Sequence, residues 1–279
     1  MMPQTKRDDA PATVEVKPRS VGGVGAGAAR RLVVTPADVA ETLTLMPPAA
    51  DDPTRHHPLP DRLIVTIDGP AGTGKSSTAR SLARCLGVEF LDTGAMYRAA
   101  AWAALRAGVP LDNEAALLRV AGRTRFDFTD GATRVDGQDV AGAIRTPEVA
   151  GAASAIAVRP RLRKILVDRQ RRMGRGGGVV MEGRDVGTVV FPRAPVKFFL
   201  DATPEERARR RWKELRAKGA APRLGEILRS IRERDERDRT RAASPLRAAA
   251  DAVVIDTTGY TLAEVGGLML AEVRRRSRR

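Results

Sequence analysis

The pattern of apolar positions changes abruptly at Leu63. From there, five short and mostly apolar runs follow one another: LIVTID (63–68), VEFLD (88–92), GVVME (178–182), VKFFL (196–200) and AVVID (252–256). Runs of this kind, separated by stretches of helical period, predict a parallel sheet covered by helices on both faces. After the first run, Ala79, Leu82, Ala83 and Leu86 recur at i, i+3, i+4 and i+7, which marks one buried helix face. Thr203-Pro204-Glu205-Glu206 and Thr261-Leu262-Ala263-Glu264 each place Thr three residues before Glu, the spacing of a capping box. The first of these adds a proline at the opening helical position.

Residues 93–175 read as an insert between the second and third runs. Within it, RFDFTDGATRVDGQDV (125–140) alternates and carries Asp-Gly turn signals at 130–131 and 136–137, so a small antiparallel unit flanked by helices is expected. An insert at the carboxyl ends of parallel strands is where a second substrate would bind. Residues 1–62 are different again. They hold a Gly/Ala run from Val21 to Ala29, prolines at 47, 48, 53, 58 and 60, and little periodicity outside Val33–Leu45, the pattern of a disordered extension ahead of a folded unit over 63–279. Met46 offers an alternative start of translation.

Composition narrows the class. The 279 residues are 42% hydrophobic and only 4% aromatic, so the core must be built mainly from Ala, Val and Leu. No run approaches the roughly 20 apolar residues of a membrane span, and no apolar leader is evident, with Asp8 and Asp9 where a secretory signal would be basic. Cys85 is the single cysteine, which rules out an intrachain disulfide and a cysteine-rich metal site. A cytoplasmic, monomeric protein is expected. The net charge of +15 lies wholly in 63–279, because residues 1–62 carry eight basic and eight acidic side chains. Five tail arginines, at 274–276, 278 and 279, account for part of it, and the remainder on the folded body attracts anions.

The first apolar run leads into Gly69, Pro70, Ala71, Gly72, Thr73, Gly74, Lys75 and Ser76, a fit to G-x-x-x-x-G-K-[ST] between a strand and a helix. Glycines there let successive backbone N–H groups converge on phosphate oxygens, and the helix N-terminus adds its positive dipole end. Lys75 is expected to reach the terminal phosphates of ATP, and a hydroxyl from Ser76 or Ser77 to meet Mg²⁺. The fold class expected is therefore α/β, a P-loop NTPase with a parallel sheet, an insert and a short lid. No Asn-Lys-x-Asp for reading guanine occurs. Strong general bases are also missing: the two histidines, His56 and His57, lie in the extension, which suits phosphoryl transfer to a phosphate better than to a hydroxyl.

The acceptor is written further along. LDTGAMYR (91–98), IRTPEVAGAAS (144–154), RPRLRKIL (159–166), MEGRDVGTVVFP (181–192), VKFFLDATPEERARRR (196–211) and RERDERDRTRAASPL (232–246) occur in order, and with them the chain resembles the bacterial cytidylate kinases. The resemblance implies ATP-dependent phosphorylation of CMP, and of dCMP, with Mg²⁺. It implies that Arg98, Arg184 and Arg241 grip the acceptor phosphate. It likewise implies that Ser154, Arg163 and Asp185 read the cytosine edge, that Arg234 and Asp238 meet the sugar, and that Thr93 is another nucleotide contact. Lys75 and Arg184 would be the catalytic cations. The family usually has Gly directly after the loop lysine, so Ser76 is a departure, and Glu182 stands where some members carry Asp.

Physical chemistry supports these roles independently, because arginine forks match phosphate oxygens bidentately. A carboxylate at Asp185 can accept from the amine of cytosine but opposes the carbonyl of uracil. In RERDERDRTR, Arg234, Asp238 and Arg241 share one helix face, while Arg232 and Glu236 are spaced as an i,i+4 pair. Arg207, Arg209, Arg210 and Arg211 lead towards a short lid over 207–223, from which one of them would neutralise charge on the transferring group. A kinase for UMP or another small acceptor, and a nucleic-acid-binding NTPase suggested by the basic tail, are the alternatives. The second is opposed by the scarcity of rings for base stacking, so no nucleic-acid or membrane partner is expected.

Overall fold

The five apolar runs become strands, the three central ones of which are largely buried on both faces. A computed structural model describes residues 63–128 and 132–277. The expected N-terminal extension, the Asp130-Gly131 turn, and the last two arginines lie outside the described residues. Strands β1 (Ile64–Asp68), β2 (Glu89–Asp92), β6 (Val179–Glu182), β7 (Val196–Asp201) and β8 (Val253–Asp256) form one parallel sheet in the order β2-β6-β1-β7-β8. Val65 is in register with Val180 on one side and Val196 on the other. Successive residues of a strand face opposite ways. Accordingly, Val180 joins the core beneath α1 (Lys75–Leu86) and α8 (Leu262–Ser277). Val179 and Met181 instead join Leu91, Val167, Val186 and Val190 on the other face.

The predicted stripe Ala79, Leu82, Ala83 and Leu86 is the buried face of α1, and Gly87 ends that helix in the left-handed conformation. The capping boxes differ. At Thr261 the exchange is reciprocal: the Glu264 amide donates to the threonine hydroxyl, and the Thr261 amide donates to the glutamate side chain. At α6 (Pro204–Ala217), Thr203 accepts from the Glu206 amide, but the Glu206 carboxylate turns to Arg209 and Arg210 instead. Only half of the expected box forms there, because charged partners one turn on outcompete a neutral amide.

Between β2 and β6 lie the helices α2 (Thr93–Arg106), α3 (Glu114–Arg123), α4 (Pro147–Ile156) and α5 (Pro160–Met173). With them comes a small antiparallel meander of β3 (Phe126–Asp127), β4 (Arg134–Val135) and β5 (Gln138–Asp139). The Asp136-Gly137 turn has φ of 51° and 84°, as a two-residue hairpin with right-handed strand twist requires. The insert has its own core, in which alanines 95, 99, 100, 101, 103 and 104 of α2 pack with Ala152, Ala153 and Ile156 of α4. Small side chains let these helices approach closely. Helix α7 (Leu224–Thr240) folds back along α6, and the Trp212 indole bonds the Pro222 carbonyl at 3.1 Å across their connection. This hairpin moves Arg232 from the expected Glu236 partner to Glu205, 2.8 Å away.

Phe198, 1% exposed at the centre of β7, fills the core beneath α1 and α8. Replacing it with Ala is expected to cost about 3–5 kcal/mol, read as a lower urea midpoint at unchanged m-value.

Candidate active site

The carboxyl ends of β1, β2 and β6 meet at one edge of the sheet, and each hands the chain to a functional segment. After β1, Gly69 turns at φ 144°; a Cβ there would lie 2.0 Å from the Leu200 carbonyl oxygen of β7. Only glycine lets the loop start so close to the neighbouring strand. The loop then curls over Lys75, whose ammonium donates to the Pro70 carbonyl at 2.5 Å and to the Thr73 hydroxyl at 3.4 Å. Lys75 also opens α1, so the first amides of that helix face the concave side of the loop. Of the two hydroxyls that follow, Ser76 is the one near enough to the Glu182 carboxylate to lower its proton affinity, and both serines are exposed.

Carboxylates surround this lysine. Asp68, at the end of β1, accepts the Val186 and Gly187 amides at 2.8 and 2.7 Å, one on each oxygen. It thereby anchors the π-helical turn Val186–Val190 and with it the preceding Arg184-Asp185. Glu182 pairs in register with Asp92 across β2 and β6. Burial, followed by the repulsion of Arg184, pulls the Lys75 ammonium down to about 7. Burial, followed by the charge on Asp92, pushes Glu182 up to about 7, and burial pushes Asp68 up to about 6.

The second half of the site is a nest of guanidiniums held by carboxylates. Arg98 bonds Asp92 at 2.7 Å. Arg184 donates from Nε to Asp238 at 3.2 Å and from Nη1 to the Gly183 carbonyl at 3.1 Å. Asp238 also faces Arg241 at 3.6 Å, and Arg241 donates to the Ser244 carbonyl at 2.6 Å. Arg163 pairs with Asp185, donates to the Ala157 carbonyl at 2.9 Å and lies 5.5 Å from the Tyr97 ring centre. Burial, then Arg184, lowers the Arg234 guanidinium to about 10. Burial would raise Asp238, but Arg184, Arg234 and Arg241 outweigh it and hold the carboxyl below its ordinary value.

These pairings leave several donors over. Arg98 Nε, Arg234 Nε, Arg241 Nη2, the Ser154 hydroxyl and the Tyr97 hydroxyl are all buried without a hydrogen-bond partner. Buried donors left in this way are costly, about 1–3 kcal/mol each, and point to an acceptor-rich ligand. The structure thus brings together Lys75, Arg98, Arg163, Arg184, Asp185, Arg234, Asp238 and Arg241. Ser154 is buried on α4, which packs against α2. Thr93 is committed differently: its hydroxyl donates to the Glu182 carbonyl at 2.7 Å, so it can meet a ligand only as an acceptor.

The four arginines of α6 separate in the structure. Arg209 and Arg211 pair with Glu206 and Glu214 on the surface. Arg207 is completely buried, and Arg210 donates to Thr257, whose hydroxyl in turn bonds the Thr73 carbonyl of the loop at 3.3 Å. Sequence reasoning missed Asp68 and Tyr97 as parts of this site. The one signal for Asp68 was its place as the last strand residue before the glycine-rich loop.

Residues 65–275 match the family model described as "Cytidylate kinase". A cytidylate kinase of Solibacter usitatus is 49% identical over 217 residues, covering 77% of this chain and 94% of that protein. One of Geobacter sulfurreducens is 50% identical over 220 residues with the same coverages. A third, of Mycobacterium leprae, is 48% identical over 216 residues, covering 77% and 97%.

The raised Glu182 carboxyl has a consequence for stability. Its folded value lies above its unfolded one, so the group favours folding at low pH and that contribution is lost as pH rises through about 7. Glu182→Gln is therefore expected to raise the urea midpoint relative to the unsubstituted protein at pH 8. The gain should fade towards pH 4, where the carboxyl is largely protonated in the folded and the unfolded chain alike.

Proposed function

The chain belongs to the cytidylate kinase family, and we propose the following division of labour among its residues as it transfers the γ-phosphate of ATP to CMP, giving CDP and ADP. The loop from Gly69 to Ser77 cradles the donor phosphates with backbone amides, and Lys75 follows the charge that develops on them. Its ammonium swings from the Pro70 carbonyl to the phosphates, whose negative charge restores the proton that burial weakens. The chemistry at the acceptor needs no general base, because a phosphate oxygen is already a nucleophile.

Arg98, Arg184 and Arg241 receive the CMP phosphate. The observation that carries this reading is the set of buried, unpartnered donors beside them: Arg98 Nε, Arg234 Nε and Arg241 Nη2. A dianionic phosphate would satisfy such donors with charge-assisted bonds. Ser154, Arg163 and Asp185 read the base, and the Tyr97 hydroxyl and ring lie beside them. Arg234 and Asp238 meet the sugar, with Thr93 accepting from the nucleotide. The reading extends to dCMP, to a monomeric enzyme in the cytoplasm, and to an NMP-binding role for residues 93–175.

Ser76, Ser77 and Glu182 fit a hydrated Mg²⁺ carried in on the donor phosphates. Two hydroxyls stand at the helix start, and Glu182 keeps one buried oxygen without a partner. Mg²⁺ prefers such a set of oxygen ligands completed by water and phosphate. When bound, it would neutralise charge on the bridging phosphate oxygens.

An ADP-release assay across CMP, dCMP, UMP, AMP and GMP tests the assignment. CMP is expected to give the highest kcat/KM, with dCMP well within a thousandfold of it. Asp185→Asn should reduce the preference for CMP over UMP by about 5- to 150-fold, the equivalent of about 1–3 kcal/mol for a mispaired buried acceptor. An unchanged preference would remove Asp185 from base recognition.

A further inference from the structure

Arg207 is among the largest side chains that the fold hides completely, with 1% of its surface exposed. Its guanidinium is shared among three elements. Nε donates to the Ala202 carbonyl at 3.0 Å, at the end of β7. Nη1 donates to the Ala71 carbonyl of the phosphate loop at 3.2 Å and to Asp235 at 3.0 Å, and Nη2 closes the fork on Asp235 at 2.5 Å. Asp235 is itself only 4% exposed and sits within α7. The loop leans on the same arginine: a Cβ at Gly72, where φ is 83°, would stand 3.1 Å from Arg207 Cβ.

A buried ion pair is weak evidence for stability, since an apolar pair of similar volume often holds a fold as well. What this pair adds is position. Asp235 lies one residue after Arg234, three before Asp238 and six before Arg241, within the continuous helix α7 that ends at Arg241. A bidentate fork fixes both distance and angle between its partners. One guanidinium therefore ties the donor loop, through Ala71, to the helix that presents the acceptor's arginines.

Resting on the assignment of those groups above, we infer that the Arg207–Asp235 pair is a positioning element. It sets the distance and alignment between the donor-phosphate loop and the acceptor-phosphate pocket without touching either substrate. An error of about 1 Å in such alignment is worth about a hundredfold in rate. Ground-state binding of each nucleotide, made within one half of the site, is affected far less.

The test uses the full chain with Arg207 and Asp235 replaced together, Arg207→Met with Asp235→Val, which removes both charges and keeps the pair's combined volume within about one methylene. Expected are a folded protein with a somewhat lowered urea midpoint, since the Ala71 and Ala202 carbonyls lose their donor, and a fall in kcat of about thirtyfold or more. The separate Kd values for ATP and CMP by calorimetry, and both KM values, should stay within about threefold, because each half-site is intact. A folded double variant with kcat retained within that margin, or with binding lost in step with kcat, overturns the inference. If the double variant does not fold, Asp235→Glu decides, since it keeps the charges and lengthens the arm by one methylene. A fall in kcat of about tenfold or more at unchanged KM supports the positioning role, and an unchanged kcat overturns it. Failure of the functional assignment itself would look different: the unsubstituted protein in the same assay would not phosphorylate CMP.

Discussion

Mutual repulsion among buried cations is the constraint on which the structure turns. Lys75, Arg98, Arg163, Arg184, Arg234 and Arg241 converge at one edge of the sheet, and several are largely removed from water. A cluster of that kind cannot stand without counter-charge. Asp92, Asp185 and Asp238 supply it, each bonded to one or two guanidiniums. The carboxylates do not satisfy every donor, so the cluster stays short of acceptors and remains ready for anions. Burial acts on the proton equilibria as well: helped by Arg184 it lowers the lysine beside the loop to about 7, and helped by Asp92 it raises the glutamate to about 7. Holding the fold together and preparing to bind nucleotide are thus the same electrostatic arrangement.

Parallel strands make that arrangement possible. Because β1, β2 and β6 run the same way and lie side by side, their carboxyl ends deliver the phosphate loop, the Arg98 helix and the Arg184-Asp185 turn to a single edge. Asp68 locks two of these together by taking two amides of the turn on its own carboxylate. The alanine-rich insert stands on the same edge with a separate core, which lets it present Ser154 and Arg163 without disturbing the sheet. Its low aromatic content is consistent with this: closely packed helices fill space with Ala, and the few rings, such as Tyr97, lie beside charged groups.

On the other side of the loop, Arg207 of α6 bonds both the Ala71 carbonyl and Asp235 of α7. Of the four arginines expected near a lid, Arg207 bonds Asp235 and the Ala71 and Ala202 carbonyls, and Arg210 bonds Glu206 and Thr257. The basic composition of α6 therefore splits by helix face: Arg207 and Arg210 reach backbone carbonyls as well as carboxylates, while Arg209 and Arg211 pair with glutamates on the surface. Charge count alone could not separate these uses.

Much of the fold could be read from the chain. The five apolar runs, the helix after the loop, the Asp136-Gly137 turn and the cap at Thr261 depend on residues close in sequence, so local period and spacing determined them. The loop from Gly69 to Lys75 was likewise legible, because phosphate chemistry demands those residue types, whereas the guanidiniums further along were picked out by family resemblance and not by local spacing. What tertiary structure alone decided were the partners. Asp68 meets residues 118 and 119 positions away, Arg207 meets Ala71 at 136, and Arg232 leaves its helical neighbour for Glu205. A carboxylate or guanidinium carries no mark of which distant group it will meet. That choice is made only when the sheet and the helical hairpin bring the candidates within hydrogen-bonding reach and water is expelled from between them.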